Sequence, residues 1–159
     1  MKNFGIDIWG NKNFIIEDGQ IKLNYKCMPS LLQIVEDIRS EDVRGPILLR
    51  FPHLIKSQIR TLYSYFDKAI EQNNYQGAFS AVFPLKVNQF PHAVEAVTSQ
   101  GAQYNYGLEA GSKAELILAM SKTPSGANIT VNGFKDKEMI TLGFIAAQSG
   151  HNITITIEG

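Results

Sequence analysis

A regular alternation of apolar runs and amphipathic segments restricts the fold of this sequence more than any other feature. Apolar runs with the length and composition of buried strands begin near Ile47, Ala78, Tyr104, Asn128 and Asn152, at intervals of 31, 26, 24 and 24 residues. The segments between these runs have the apolar spacing of helices. A strand followed by a helix at this period predicts βα units and a parallel sheet. Because the runs are almost continuously apolar, both faces of that sheet are expected to be covered.

Two architectures have this alternation of strands and helices. One is a five-stranded doubly wound α/β domain, which 159 residues are enough to complete. The other is the first part of a (β/α)8 barrel, which needs about 250 residues. The sequence stops soon after its fifth apolar run, whereas a doubly wound domain more often ends on a helix. We therefore expect residues 46–159 to form the first five strands of a truncated barrel, with the doubly wound domain as the alternative.

Residues 1–45 precede this alternation and form a separate β hairpin and helix in our prediction. The segment FGIDIWG alternates apolar and polar residues as a half-buried strand does. Asp18 and Gly19 predict a hairpin turn, and Ser30 is placed to begin a helix. Trp9 is interpreted as an anchor in the core or in an interface, with a ligand-stacking surface as the alternative.

Charge and cysteine content exclude several classes of protein. Lys plus Arg and Asp plus Glu both number 15, so the formal net charge is zero, and no basic cluster predicts nucleic-acid binding. The single cysteine, Cys27, cannot form an internal disulfide, and we interpret it as a small core residue of a cytoplasmic protein. We expect no signal peptide, because the N-terminal segment MKNFGIDIWGNKNF has no apolar run long enough for one, and no stretch approaches the ~20 apolar residues of a membrane span.

Polar or glycine-containing sequence follows each apolar run, where ligands bind in both architectures. These segments are Pro52-His53, Lys86-Val87-Asn88, Glu109-Ala110-Gly111, Asn132-Gly133 and Glu158-Gly159. Lys86 is the strongest candidate, because an amine partly buried at a strand end is a better nucleophile toward the carbonyl of an aldehyde cofactor. The alternatives are that Lys86 is a solvated surface group and that such turns are polar in most proteins.

Other familiar site patterns do not occur. The glycines match neither the dinucleotide nor the Walker A fingerprint, and no catalytic serine elbow occurs. His53, His92 and His151 are far apart in the sequence, and no Cys/His cluster has metal-ligand spacing. Ser112 and Glu115 have the spacing of a capping box, which explains both residues without a catalytic role.

Several segments resemble one family, the biosynthetic arginine decarboxylases, which are pyridoxal-phosphate enzymes of the alanine-racemase-like, fold type III group. FPLKVNQ resembles the cofactor-lysine segment of that family, and FGIDIWGNKNF resembles its N-terminal opening. ILLRFPHLI resembles the first barrel strand, and GLEAGSKAEL and VNGFKDKEMI resemble the next two strand-to-helix turns. These segments occur in the family's order and cover almost the whole chain.

The resemblance implies a lyase that decarboxylates L-arginine to agmatine, a step toward polyamines such as spermidine. Lys86 would then bind pyridoxal 5'-phosphate covalently. Glu109 matches an acidic position near the cofactor in related decarboxylases, and Asn132 would lie at the same mouth. The family also uses magnesium, whose ligands the sequence does not identify, and its active site borrows residues from a second subunit, so a homo-oligomer is expected.

The chain is much shorter than the members of this family. The family's glycine-rich phosphate loop, the carboxylate that faces the pyridine nitrogen and the C-terminal β domain have no counterpart in these 159 residues. We therefore expect an N-terminal portion of the enzyme that is inactive alone. The alternatives are a decarboxylase of diaminopimelate or ornithine, and a non-catalytic α/β module that binds pyridoxal phosphate.

Overall fold

The chain divides into two compact units, Met1–Arg50 and Phe51–Gly159. A computed structural model describes residues 4–157. The fold is α/β, with a two-stranded antiparallel sheet in the first unit and a four-stranded parallel sheet in the second. The first unit contains α1 (Ile6–Trp9), β1 (Phe14–Glu17), β2 (Gln20–Leu23) and α2 (Leu31–Ser40).

The predicted hairpin and helix start of the first unit are confirmed. Glu17 pairs with Gln20, and the two residues between them, Asp18 and Gly19, have φ values of 52° and 75°. Positive φ at both central positions defines the turn whose twist suits a two-residue hairpin. At the start of α2, the Ser30 hydroxyl accepts a hydrogen bond of 3.1 Å from the amide of Gln33, as an N-cap does.

Three predictions for the first unit are wrong. The segment FGIDIWG contains the helical turn α1 instead of a strand, because Gly5 has φ of 69° and Gly10 donates locally to the carbonyl of Ile6 at 2.7 Å. The core placement of Trp9 is wrong, because the side chain is 48% exposed and its indole N–H donates to the carbonyl of Phe4; its roles in an interface or in ligand stacking stay predictions. Cys27 is exposed, with φ of 59°, because the chain turns there after the hairpin.

The second unit alternates helices and strands along the chain. Its elements are α3 (Pro52–Gln72), β3 (Val82–Pro84), a 3-10 turn (Leu85–Val87), α4 (Pro91–Gly101), a second 3-10 turn (Ala102–Tyr104), β4 (Gly107–Ala110), α5 (Lys113–Lys122), β5 (Asn128–Val131), α6 (Lys137–Gln148) and β6 (Asn152–Ile155). The four strands are parallel and lie in the order β3-β4-β5-β6, so each strand pairs with the next one along the chain.

The helices of this unit share one core with one face of the sheet. Ile59 and Tyr63 of α3 join a cluster with fully buried residues of the strands and of the other three helices. The further members are Leu85, Val94, Val97, Leu108, Ala110, Leu116, Ala119, Ile129, Val131, Met139 and Ala146. Since alternate strand residues point to opposite faces, Leu108 and Ala110 of β4 define the helix-covered face and Glu109 lies on the other.

The predicted starts of the last two strands are right, and those of the earlier strands are wrong. β5 and β6 begin at the predicted Asn128 and Asn152, but β3 and β4 begin several residues later than expected. Tyr104 lies in a 3-10 turn and Asn105 has φ of 55°, so the chain is not extended there. The strand expected from residue 47 is also wrong, because residues 47–50 belong to neither of the two sheets in the described part of the chain.

Candidate active site

Lys86 lies immediately after the end of β3, in the 3-10 turn Leu85–Val87. Its neighbour Leu85 is completely buried in the core, so the backbone of the turn is anchored directly beside the lysine. The side chain of Lys86 itself is exposed, and the expected partial burial is wrong for this chain. The reason is that Lys86 lies two residues after Pro84, the last residue of β3, and is therefore outside the sheet. The structure therefore fixes the base of the lysine but does not enclose its amine.

Glu109 lies within β4 and beside the end of β3. Its Cα pairs with Pro84, two residues before Lys86, and with Thr130 of β5 on the other side. Thr130 pairs in turn with Thr154 of β6, so the carboxylate and two hydroxyl side chains form a row on the face opposite the core. Glu109 is half-buried. The structure thus brings Lys86 and Glu109 to neighbouring positions at the carboxyl edge of the sheet.

Asn132 follows β5 directly and contributes to the same edge. Its backbone amide donates to the carbonyl of Ala110 at 2.8 Å, which extends the pairing of β4 and β5 by one residue. Its side-chain oxygen accepts a hydrogen bond of 2.8 Å from the amide of Gly133. Asn132 is half-buried, and part of its hydrogen-bonding capacity is used to shape its own turn.

The loops that follow β4 and β5 approach each other through glycine. Gly133 has φ of 76°, and a Cβ atom added there would lie 2.3 Å from the carbonyl oxygen of Gly111. Only a residue without a side chain permits this backbone contact. The contact holds the loop after Glu109 against the loop that begins at Asn132.

Glu115 makes contacts that the capping-box pattern does not predict. The Ser112 hydroxyl accepts a hydrogen bond of 3.2 Å from the amide of Glu115, as expected for an N-cap. One carboxylate oxygen of Glu115 accepts from the amide of Gly111 at 2.7 Å, and the other accepts from the side-chain amide of Gln89 at 2.9 Å. Gln89 belongs to the loop of Lys86, so Glu115 connects that loop to the loop after β4. Sequence reasoning missed this role because the spacing to Ser112 already explained the residue.

A group of charges joins the first turns of α5 and α6. Lys113 forms ion pairs with Asp136, at 2.7 Å, and with Glu138. The hydrogen bond from Lys113 lowers the pKa of Asp136 below its ordinary 3.8, and the amide of Met139 adds to this effect. The same pairs raise the pKa of Lys113 above 10.5. These contacts hold the βα loops together at the edge where Lys86 and Glu109 lie.

In the part of the chain that the structure describes, the histidines and the remaining acidic residues do not combine into a metal site. Within residues 4–157, no group of three His, Cys, Asp or Glu side chains is placed to hold a metal ion. His151 is buried instead, and its two ring nitrogens lie 3.3 Å from the carbonyl oxygens of Ala146 and Thr123. It therefore connects the ends of α6 and α5 and has a structural environment.

Among the described residues, no helix is both long enough and apolar enough to cross a membrane.

The arrangement is suited to chemistry between an amine and a carbonyl. Lys86 provides a primary amine on an anchored turn, and Glu109 provides a carboxylate on the adjacent strand. An aldehyde-bearing cofactor is a suitable partner for such an amine. Pyridoxal phosphate carries such an aldehyde, and the amine of Lys86 fits it.

Comparison with known proteins gives one consistent family name. A biosynthetic arginine decarboxylase of Prochlorococcus marinus is 35% identical over 99% of this chain and 25% of its own length, and that of Pelobacter propionicus is 38% identical over 99% and 26%. The crystal structure of the biosynthetic arginine decarboxylase SpeA from Campylobacter jejuni matches with a TM-score of 0.95 and 57% identity, over the whole chain and 27% of that protein. No family model matches the chain. The chain spans about a quarter of the length of the curated relatives.

Proposed function

This chain belongs to the family of biosynthetic arginine decarboxylases, and we propose that it is the N-terminal portion of a pyridoxal-phosphate-dependent enzyme that converts L-arginine to agmatine and CO2. The observation that carries the proposal is the position of Lys86, on an anchored turn at the carboxyl end of β3 and beside Glu109. Agmatine formation would serve polyamine synthesis. The cytoplasmic location that we expect from the single cysteine stays a prediction.

The proposal includes a barrel of the alanine-racemase-like type, of which this chain provides the first strands. Two observations support it. The strands follow one another in sequence order, and the helices α3 to α6 contribute to one core on one face. Right-handed crossovers between consecutive neighbours place their helices on the same side, as in a barrel wall. A doubly wound sheet reverses its strand order and carries helices on both faces.

Lys86 would hold the cofactor through its amine. Pyridoxal phosphate, when bound, supplies the electron sink that amino-acid decarboxylation requires. Glu109 would present a carboxylate from the adjacent strand, and Asn132 would line the same mouth. The phosphate-binding loop and the partner of the pyridine nitrogen would come from the rest of the protein, so we expect these 159 residues alone to release no agmatine. Magnesium and a second subunit stay predictions from the family.

The test is a chimera in which this chain replaces the matching 27% of the C. jejuni decarboxylase. We expect the chimera to fold with the circular dichroism and oligomeric state of that enzyme and to release agmatine from arginine. Lys86→Ala should abolish release. Its matched control is Lys122→Ala, which removes another exposed lysine at the far end of α5 and should leave release unchanged.

A second readout does not depend on turnover. Borohydride reduction followed by peptide mass spectrometry should find a pyridoxyl group on Lys86 in the chimera and on no lysine in Lys86→Ala. A folded chimera that carries the group elsewhere contradicts the assignment of Lys86. Product analysis with ornithine and diaminopimelate tests the substrate, and release of CO2 from either in preference to arginine contradicts the proposed reaction. A cofactor-bearing chimera without any decarboxylation would indicate a binding module.

A further inference from the structure

Glu115 connects the loop that carries Lys86 to the loop that follows Glu109 and β4. Its carboxylate accepts one hydrogen bond from Gln89, three residues after Lys86, and one from Gly111, two residues after Glu109. Gln89 and Glu115 are separated by 26 residues in the sequence, so their bond is a tertiary contact and not part of a local turn. The two oxygens of one side chain thus tie the loop after β3 to the loop after β4.

The loop of Lys86 is held on both sides of the lysine. Before it, Leu85 is buried in the core. After it, the Asn88 side chain accepts a hydrogen bond of 3.0 Å from the amide of Phe90, and Gln89 donates to Glu115. Because the Lys86 side chain is exposed, packing against other side chains contributes little to its orientation. The direction in which the lysine leaves the sheet then depends on the backbone of this short loop.

From this geometry we propose that Glu115 is a positioning residue for the cofactor lysine. Its carboxylate holds the Gln89 end of the loop against α5 and so fixes the direction of Lys86 relative to Glu109. The inference rests on the proposed function. It differs from helix capping, which Ser112 performs at the same helix end through its hydroxyl. Removing the carboxylate should therefore disturb the lysine and not only the helix.

The experiment measures the affinity of the chimera for pyridoxal phosphate and the rate at which the pyridoxyl group accumulates on Lys86 under borohydride. Glu115→Ala should weaken both by about tenfold, the value of one hydrogen bond to a charged group. Gln89→Ala should also lower the affinity and the rate. Because Gln89 is exposed, its replacement is not expected to affect folding. Glu115→Gln should restore both, because its amide can accept from Gly111 and donate to a rotated Gln89 side chain.

Ser112→Ala is the matched structural control. It removes the N-cap of the same helix and lowers the melting temperature, but leaves the two hydrogen bonds of the Glu115 carboxylate in place. Its cofactor affinity should stay within about twofold of the unsubstituted chimera. If Glu115→Ala loses no more affinity than Ser112→Ala, or if Glu115→Gln is as impaired as Glu115→Ala, the positioning role is refuted. A pyridoxyl group that persists in Lys86→Ala contradicts the proposed function itself, so the two failures are distinguishable.

Discussion

Replacing Gly133 by alanine tests whether the loops after β4 and β5 are held by direct backbone contact. An alanine Cβ would lie 2.3 Å from the carbonyl oxygen of Gly111 and 3.1 Å from its carbonyl carbon. Both neighbours are backbone atoms, which cannot move to another rotamer. Gly133→Ala must therefore displace one loop from the other.

The expected loss of stability has two parts. A left-handed conformation costs an alanine about 1–2 kcal/mol, and φ at Gly133 is 76°. Forcing an extra carbon into a filled space costs a further ~1–3 kcal/mol. The sum is about 2–5 kcal/mol in the free energy of unfolding.

Gly126 provides a matched control for the first part. It is exposed with φ of 85°, and an added Cβ would meet no atom within 4 Å. Gly126→Ala should therefore cost only about 1–2 kcal/mol. Urea unfolding of the 159-residue chain, followed by circular dichroism, measures both variants. Equal losses for the two substitutions would refute the inferred contact between the loops.

Two further predictions concern charged and buried groups. Lys113 lowers the pKa of Asp136 in the folded chain, so this pair should stabilise the fold above pH 3.8 and lose that contribution as the pH falls below 3.8. Thermal unfolding measured from about pH 2 to 6 should show this acid-induced loss of stability in the unsubstituted chain and not in Lys113→Gln. An unchanged acid profile in Lys113→Gln would contradict this. His151→Phe keeps an aromatic ring but breaks both contacts with the carbonyls at the ends of α5 and α6, so it should lower the free energy of unfolding by about 1–3 kcal/mol. The control is His92→Phe, at an exposed position, which should change that free energy by less than about 0.5 kcal/mol. Equal urea midpoints for these two variants would show that the His151 contacts contribute nothing.

The sequence predicted those parts of the fold that depend on local interactions. Ser30 and Ser112 each cap the helix that they are predicted to begin. The hairpin at Asp18 and Gly19 is also local, because the turn residues themselves permit positive φ. Lys86 was placed correctly after its strand, since the change from apolar to polar residues marks the strand end.

The parts that failed depend on neighbours that are distant in the sequence. The apolar run at residues 47–50 has a suitable composition for a strand, but composition does not decide whether a segment joins the ladder of a sheet. The exposure of Lys86 depends on what surrounds the end of the sheet and not on the apolar run before it. The contact between Glu115 and Gln89 arises only when two consecutive βα units lie side by side. No spacing within either segment predicts it.

The strictly sequential strand order has a consequence for how this chain reaches its structure. Paired residues such as Val82 and Gly107, or Asn128 and Asn152, come from adjacent βα units, so each new strand needs only the unit made just before it. Short loops between partners cost less entropy to close than long ones. Successive units can therefore be added one at a time from a growing chain, before the segments that follow have been synthesised. On this basis, we expect the loop that carries Lys86 to take its place against the first turn of α5, through Gln89 and Glu115, early in folding.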